Sequence, residues 1–218
     1  KINYNTRIGG RVLLPLCRFK CFNRDSLYKG AMEVDWLAYI KPHQTFAIDA
    51  HVQHPQFKNS LFAAQVVKDA ICDSIRAKTQ KRPDIDTYNP DVQINLYIHG
   101  QHAVISFDTS GQPLHKRGYR LDSAEAPLQE TLAAAILRIA KYTGEEVLCD
   151  PCCGSGTFLM EAAMIACKIS PGFFRHKWGF TSLPEFSQTD WLKIKNQYDA
   201  LRIPLMPNKI FGCDINKN

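Results

Sequence analysis

The residues best equipped for chemistry are consecutive: Asp150-Pro151-Cys152-Cys153-Gly154-Ser155-Gly156-Thr157. They follow a short apolar run, Val147-Leu148-Cys149, and precede a helix-like run from Phe158 to Lys168. A strand, a tight glycine turn and a helix in that order form a ligand-binding corner of an open α/β sheet. Gly154 and Gly156 lack a Cβ, so the chain can turn sharply and a ligand can approach the peptide closely. The helix start behind them offers backbone N–H groups that no helical carbonyl satisfies. A P-loop requires Lys after its last Gly, and Thr157 stands there. The dinucleotide pattern G-x-G-x-x-G fails at Leu159. An acid at a strand tip followed by Gly-Ser-Gly therefore suits a cofactor without a pyrophosphate, and it also suits a purely structural turn.

A second acid ends the next strand candidate, Ile210-Phe211-Gly212-Cys213-Asp214. In Rossmann-like sheets the acid of the second strand tip holds the ribose hydroxyls, usually about 20 residues past the glycine turn. Here the two acids are far more widely separated in sequence. The conflict disappears if the intervening segment, with its helix near Asp190 to Leu201, leaves the sheet and returns. The plainer alternative for Asp214 is an acid capping a loop. A helix from Leu128 to Lys141 precedes the motif. Leu128, Leu132, Ile136 and Ile139 lie on one stripe, and Thr143-Gly144 marks its end.

The first half alternates strand and helix signals. Phe46, Ile48, Ala50 and Val52 recur at period two, as do Val92, Ile94, Leu96 and Ile98. His99-Gly100-Gln101 reads as a hairpin turn into Ala103–Phe107. Asn59-Ser60 caps a helix whose Ala63, Val67, Ile71 and Ile75 should face the sheet. Pro83 and Pro90 mark a turn-rich connection. The pattern breaks at Thr109–Pro113, which places a domain boundary between there and Ser123.

The chain has 218 residues, 45% of them hydrophobic, enough for one large or two small domains. No stretch approaches the length of a membrane span and no secretory signal is visible. The eight cysteines lack a disulfide framework: Cys17 and Cys21 share a strand face with Phe19, Cys72 and Cys167 lie in helical runs, and Cys149 and Cys213 end apolar strands. They read as small buried hydrophobes of a reducing, cytoplasmic compartment. Paired metal-ligand spacing is absent, and His51 and His54 read as part of a solvated loop rather than a metal site. Residues 1–120 hold 17 Lys and Arg against 10 Asp and Glu, whereas 121–218 hold 10 against 11. The excess suits either a polyanion-binding front half or an ordinary basic surface.

The Asp150–Thr157 run resembles motif I of the S-adenosylmethionine-dependent methyltransferases, in the D-P-x-C-G-S-G-T form of the branch that methylates base amines. Leu114-His115-Lys116-Arg117-Gly118-Tyr119-Arg120, then Ala126–Ala135, resemble the segment joining a THUMP RNA-binding domain to its methyltransferase domain. Pro171–Phe180 resembles an insertion of the bacterial large-subunit (23S) rRNA guanine-N2 methyltransferases, and Arg11–Leu16 and Lys68-Asp69-Ala70-Ile71 match the same family. The resemblance implies an α/β protein overall: an α+β THUMP domain over 1–115 that includes part of a preceding ferredoxin-like segment, a linker over 116–126, and the N-terminal part of a Rossmann-like class I methyltransferase domain over 127–218. It departs in one respect. The family's catalytic tetrapeptide, Asn/Asp-Pro-Pro-Tyr, does not occur in this sequence. The chain is thus expected to be an internal fragment of a longer enzyme, inactive alone, with no catalytic residue of its own.

The resemblance implies S-adenosylmethionine held by Asp150 near the methionine moiety, by backbone N–H groups of Cys152 and Ser155, by Gly154 and Gly156 beside the adenosine, by the Thr157 hydroxyl, and by Asp214 on the ribose. Glu130 and Thr131 flank the methionine end; otherwise they are a plain helix start. RNA, 23S rRNA or tRNA, is the implied partner. Its expected contacts are Lys68, Lys78, Lys81, Arg82, Lys116, Arg117 and Arg120 on phosphates and Tyr119 stacked on a base. The alternatives are a tRNA guanine-N2 methyltransferase and a noncatalytic RNA-binding or assembly factor.

Overall fold

The computed structural model describes residues 1–120 and 127–215. In chain order its elements are α1 (Ile2–Asn5), β1 (Leu13–Lys20), α2 (Arg24–Met32), α3 (Trp36–Tyr39), β2 (Phe46–Gln53), α4 (Ser60–Thr79), β3 (Val92–His99), β4 (His102–Asp108), α5 (Glu130–Ile139), β5 (Leu148–Asp150), α6 (Thr157–Ala166), a 3-10 turn (Gly179–Ser182), α7 (Gln188–Asp199) and β6 (Ile210–Gly212). They fall into two compact units, and neither is continuous in sequence. One holds Val12–Gln112 and Lys177–Phe186; the other holds Lys1–Arg11, Pro113–His176 and Ser187–Asn218. The chain passes between the two units more than once. Ala126, the rest of the linker from 121, Ser123 and Asn216 lie outside the described residues.

The first unit is a four-stranded sheet in the order β1-β4-β3-β2. β2 and β3 run parallel, which obliges the chain to cross over, and α4 makes that crossover. β3 and β4 form the expected hairpin. The period-two residues Val92, Ile94, Leu96 and Ile98 are wholly buried, as are Ala63, Val67, Ile71 and Ile75 of α4. Asn59 caps α4 by accepting the Leu61 N–H at 2.8 Å. Trp36 fills the core and donates its indole N–H to the Ala31 carbonyl at 2.7 Å. The excursion Lys177–Phe186 belongs to this unit through close backbone contact. Phe180 N–H donates to the Thr109 carbonyl at 2.8 Å, and Lys177 Nζ reaches the Asn89 side chain and the Pro90 carbonyl, each at 3.0 Å. A Cβ on Gly179 would lie 2.2 Å from the Asp108 carbonyl oxygen, so only glycine fits there.

In the second unit α5 packs on α6. α5 buries Ala133, Ala134 and Leu137, and Ala162 is buried on α6. Leu132, Ile136 and Ile139 of the apolar stripe are exposed. α5 also stops at Ile139, before Gly144; Lys141 takes the left-handed conformation instead (φ 59°). Gly144 is needed for another reason: its Cβ would sit 2.4 Å from Ala166 Cα.

One buried ionic cluster ties the pieces of this unit together. Glu161, on α6, is completely buried in an otherwise apolar run. Its carboxylate lies 3.3 Å from Arg117 Nε and 4.0 Å from Arg7 Nη1. Arg117 also donates to the carbonyls of Leu114 (2.8 Å) and Arg7, and Arg7 donates to those of Met164 (3.1 Å) and Ile169 (2.6 Å). Segments around residues 7, 117 and 161 thus meet at one carboxylate. Burial pushes the Glu161 carboxyl up, against the pull of Arg117 and Arg7. Removing the acid would strand two cations away from water. Glu161→Ala should lower unfolding stability by about 3–5 kcal/mol in urea denaturation. Gly179→Ala, which forces a methyl against backbone, should cost about 1–3 kcal/mol in the same measurement.

Candidate functional site

The glycine turn is built from the ends of two short strands. β5 and β6 pair in parallel, with Asp150 opposite Gly212. The segment between them does leave and return, so the two acids become neighbours despite their separation in sequence. Cys213 N–H donates to the Asp150 carbonyl at 3.0 Å, and Cys153 N–H to the Cys213 carbonyl at 3.0 Å. The first turn residues are thereby fastened to the tip of β6. Gly212 cannot be substituted without displacement: a Cβ would lie 2.3 Å from Leu159 Cδ1 and 3.2 Å from Cys153 Sγ. Gly212 is a close-approach residue that the sequence reading passed over, although a Gly inside a strand is a signal of close approach.

The turn then closes on itself. Gly156 N–H donates to the Cys153 carbonyl at 2.8 Å, and both Gly154 (φ 51°) and Gly156 (φ 73°) are left-handed. Gly156 is the residue that starts α6. A Cβ built on either glycine meets nothing within 4 Å, in contrast to Gly212 and Gly144. Backbone conformation and open space together leave the outer side of the turn clear of side chains. The Asp214 carboxylate accepts the Gly154 N–H at 2.8 Å, and Asp150 Oδ1 accepts the Cys152 N–H at 3.2 Å. Two carboxylates thus flank one open backbone cradle, an acceptor set suited to a ligand with hydroxyl and ammonium groups. The Cys153 thiol is held above its usual range by partial burial and by the carboxylates of Asp214 and Asp150, which disfavours a thiolate nucleophile.

Other expected site residues occupy different places. Thr157 is buried, and its hydroxyl accepts from Arg120 Nη2 at 2.9 Å, so it serves the turn from beneath. The same guanidinium lies 3.2 Å from Glu130, which is buried at the first position of α5. Glu130 therefore reaches the motif through Arg120 and Thr157. Thr131 is half-buried beside it, and Ser155 is exposed. A cavity of about 400 Å³ opens among His115, Lys116, Gly118, Arg120, Pro127 and Glu130.

The expected RNA contacts divide sharply. Arg117 is 1% exposed and committed to Glu161, so it cannot meet a phosphate. Tyr119 donates its hydroxyl to Glu161 at 3.3 Å, and burial with that acid raises its phenol well above the usual range; it packs inside the unit rather than on a base. Arg120 is taken up by Glu130 and Thr157. These corrections share one cause: the run 116–120 reads as a basic surface only if Glu161 and Glu130 are ignored. Lys68 pairs with Asp69 and Lys78 with Asp35, at 2.8 and 2.9 Å. Lys81, Arg82 and Lys116 are exposed. Glu161 was itself legible as a lone acid in the apolar run of α6.

All eight cysteines are free thiols. Cys21, Cys72 and Cys167 are buried as expected, but Cys149 and Cys213 are exposed, because β5 and β6 form only a two-stranded sheet. His51 lies on β2 rather than in a loop, and His54 contacts the Cys21 carbonyl at 3.1 Å. Among the described residues no group of three His, Cys, Asp or Glu could hold a metal, and no helix is long and apolar enough to cross a membrane.

Comparison with known proteins matches two stretches of the chain to two families. Residues 22–108 match the THUMP domain, and residues 117–218 match the "RMKL-like, methyltransferase domain". The chain is 41% identical over 210 residues to "Putative RNA methyltransferase slr0064" of Synechocystis, covering 94% of this chain and 55% of that protein. A solved structure described as a possible methylase from Clostridium difficile 630 is 29% identical, with a TM-score of 0.83, over 100% of this chain and 57% of that one. SMU.472, solved in complex with SAH, is 27% identical with a TM-score of 0.82, over 99% and 57% of the two chains. The chain spans about half the length of the relatives it matches. Within that span, sequence that matches the THUMP domain is followed by sequence that matches the RMKL-like methyltransferase domain.

Proposed function

We propose that the protein is the RNA-binding and cofactor-binding part of an enzyme that methylates the exocyclic N2 amine of a guanine in 23S rRNA, with S-adenosylmethionine as donor. The observation that carries the cofactor part is the open cradle over Gly154 and Gly156 between the Asp150 and Asp214 carboxylates. Asp214 would exchange or share its Gly154 N–H bond with ribose hydroxyls, and Asp150 would face the amino group of the methionine moiety. Gly154 and Gly156 admit the nucleoside because no side chain occupies the space. The cofactor, when bound, supplies an electrophilic methyl group for displacement by an amine. The protein's part is alignment of donor and acceptor, which is where most of the acceleration of such a displacement lies. The guanine must be unpaired or turned out of its helix to present that amine.

The choice of guanine N2 and of 23S rRNA is supported by the resemblance of Asp150–Thr157 and Pro171–Phe180 to that family. The groups that would hold the amine, the Asn/Asp side chain and Pro carbonyl, and the Tyr that would stack on the base, are absent from these 218 residues. A cytoplasmic location accords with the free thiols and with this substrate.

Two measurements test the reading. In calorimetric titration the protein should bind S-adenosylmethionine, and Asp214→Ala should weaken binding roughly 10- to 100-fold, the usual loss for a hydrogen bond to a charged group. Absence of binding would remove the cofactor assignment. In assays with tritiated donor, this chain alone should transfer no methyl group. An enzyme that carries this sequence together with the Asn/Asp-Pro-Pro-Tyr motif should label deproteinised 23S rRNA at guanine N2 and leave tRNA unlabelled. Label in tRNA alone would move the substrate to the alternative reading.

A further inference from the structure

The sheet of the THUMP-bearing unit has a face turned away from the core residues of β3, and one end of it is open. The register lines up two rows across all four strands. Lys20 pairs with His102, His102 with His99, and His99 with Gln53. In the next row Arg18 pairs with Val104, Val104 with Tyr97, and Tyr97 with His51. Directly paired residues project to the same side of a sheet, so both rows share this face. All are exposed except the half-buried Val104, whereas the alternate residues of β3, Leu96 and Ile98, are wholly buried. Each row spans about 14 Å, three strand spacings. Farther along β4, the same-side Ser106 and Asp108 are buried, so the opening belongs to the end where β3 turns into β4.

The chemistry of this end is unusual for a merely solvated face. Tyr97 and His99 hold their rings parallel, 4° between planes and 6.3 Å between centroids. His99 is fixed in that attitude by a 2.9 Å hydrogen bond from its Nδ1 to the Gln53 amide oxygen. Tyr97 keeps 45% of its surface exposed although it sits in mid-sheet. Two further imidazoles, His51 and His102, complete the rows, and the fixed positive charges, Arg18 and Lys20, lie together on the edge strand. The acid nearest on this face is Asp49, two residues back along β2. By contrast, the basic residues of α4 on the other side are matched by acids: Lys68 by Asp69, Arg76 by Asp73, and Lys78 by Asp35.

We propose that this open end of the sheet, with Tyr97, His99, His51 and His102 rimmed by Arg18 and Lys20, is a stacking platform for unpaired bases of single-stranded RNA. Flat rings held at a fixed angle accept the π-face of any base, and cations at the rim accept the phosphates between bases. A duplex conceals the base faces that such rings contact, so single strands are the fitting partner. The His99–Gln53 bond lowers the ordering cost by setting one ring before RNA arrives. The proposal rests on the reading of the protein as one that acts on RNA, and it gives that protein a second grip away from the cofactor cradle.

The test is fluorescence anisotropy of the protein with a labelled oligouridine of about ten nucleotides, within the usual site size of such platforms, and with an RNA duplex of the same length. Tyr97→Thr and His99→Thr keep strand preference while removing a ring. Each should weaken oligouridine binding about 5- to 100-fold, the loss expected for one stacked base. Tyr97→Phe should bind like the wild type, and duplex binding should not respond to any of the three. Circular dichroism confirms that the variants remain folded. Ring-less variants that bind oligouridine as tightly as the wild type overturn the platform, and so does an equal loss on duplex RNA. If the wild type binds duplex but not oligouridine, the platform falls while the RNA reading stands; if it binds neither, both fall.

Discussion

The parallel pairing of β5 with β6 is the constraint on which the cofactor cradle depends. Three residues on each strand suffice to bring Asp150 and Asp214 to the same edge. Once they are there, each carboxylate accepts a backbone N–H of the glycine turn, and the turn is held open from both sides. Gly212 leaves room for the side chains of Leu159 and Cys153. Gly154 and Gly156 use the same absence of a side chain for the opposite purpose, since their missing Cβ atoms leave space unfilled. One residue type thus performs close packing on one side of the motif and vacancy on the other.

Much of this was legible in the sequence because it is local. Period-two runs marked β2 and β3, Asn59 marked the start of α4, and the acid-led glycine turn marked the cradle. Such features follow from the preferences of a few adjacent residues. What escaped was decided at a distance. Arg117, Tyr119 and Arg120 form a basic aromatic run whose meaning changes once Glu161 and Glu130 are placed beside it. In α5 the buried residues include Ala133, Ala134 and Leu137 while Leu132, Ile136 and Ile139 of the apolar stripe are exposed, a choice of face that the helix's own period does not decide. The pairing of Tyr97 with His51 and of His99 with His102 depends on register, which no single strand reveals.

Charge in this protein is distributed by function rather than by count. The excess of basic residues in the front half drew attention to α4, but several of its cations have acidic neighbours within ion-pair distance. The run at 116–120 contributes a buried Arg to a structural cluster. Exposed pairs on a helix add little to stability and leave little net field. The buried cluster around Glu161 is costly to break because its members have lost their water. Equal formal charges therefore have three different roles: solvated pair, internal tie and rim of an open face.

The excursion Lys177–Phe186 has a consequence for the birth of the molecule. Its residues complete a unit whose other residues end at Gln112, yet some sixty residues of the second unit are synthesised in between. The nascent chain can form the four-stranded sheet early but must wait for the Gly179 backbone to settle against Asp108. At translation speeds of about 5–20 residues per second, that wait lasts several seconds, during which the end of the sheet beside Asp108 lacks its cover. A scissor cut after Gln112 would leave each daughter polypeptide holding part of the other's unit.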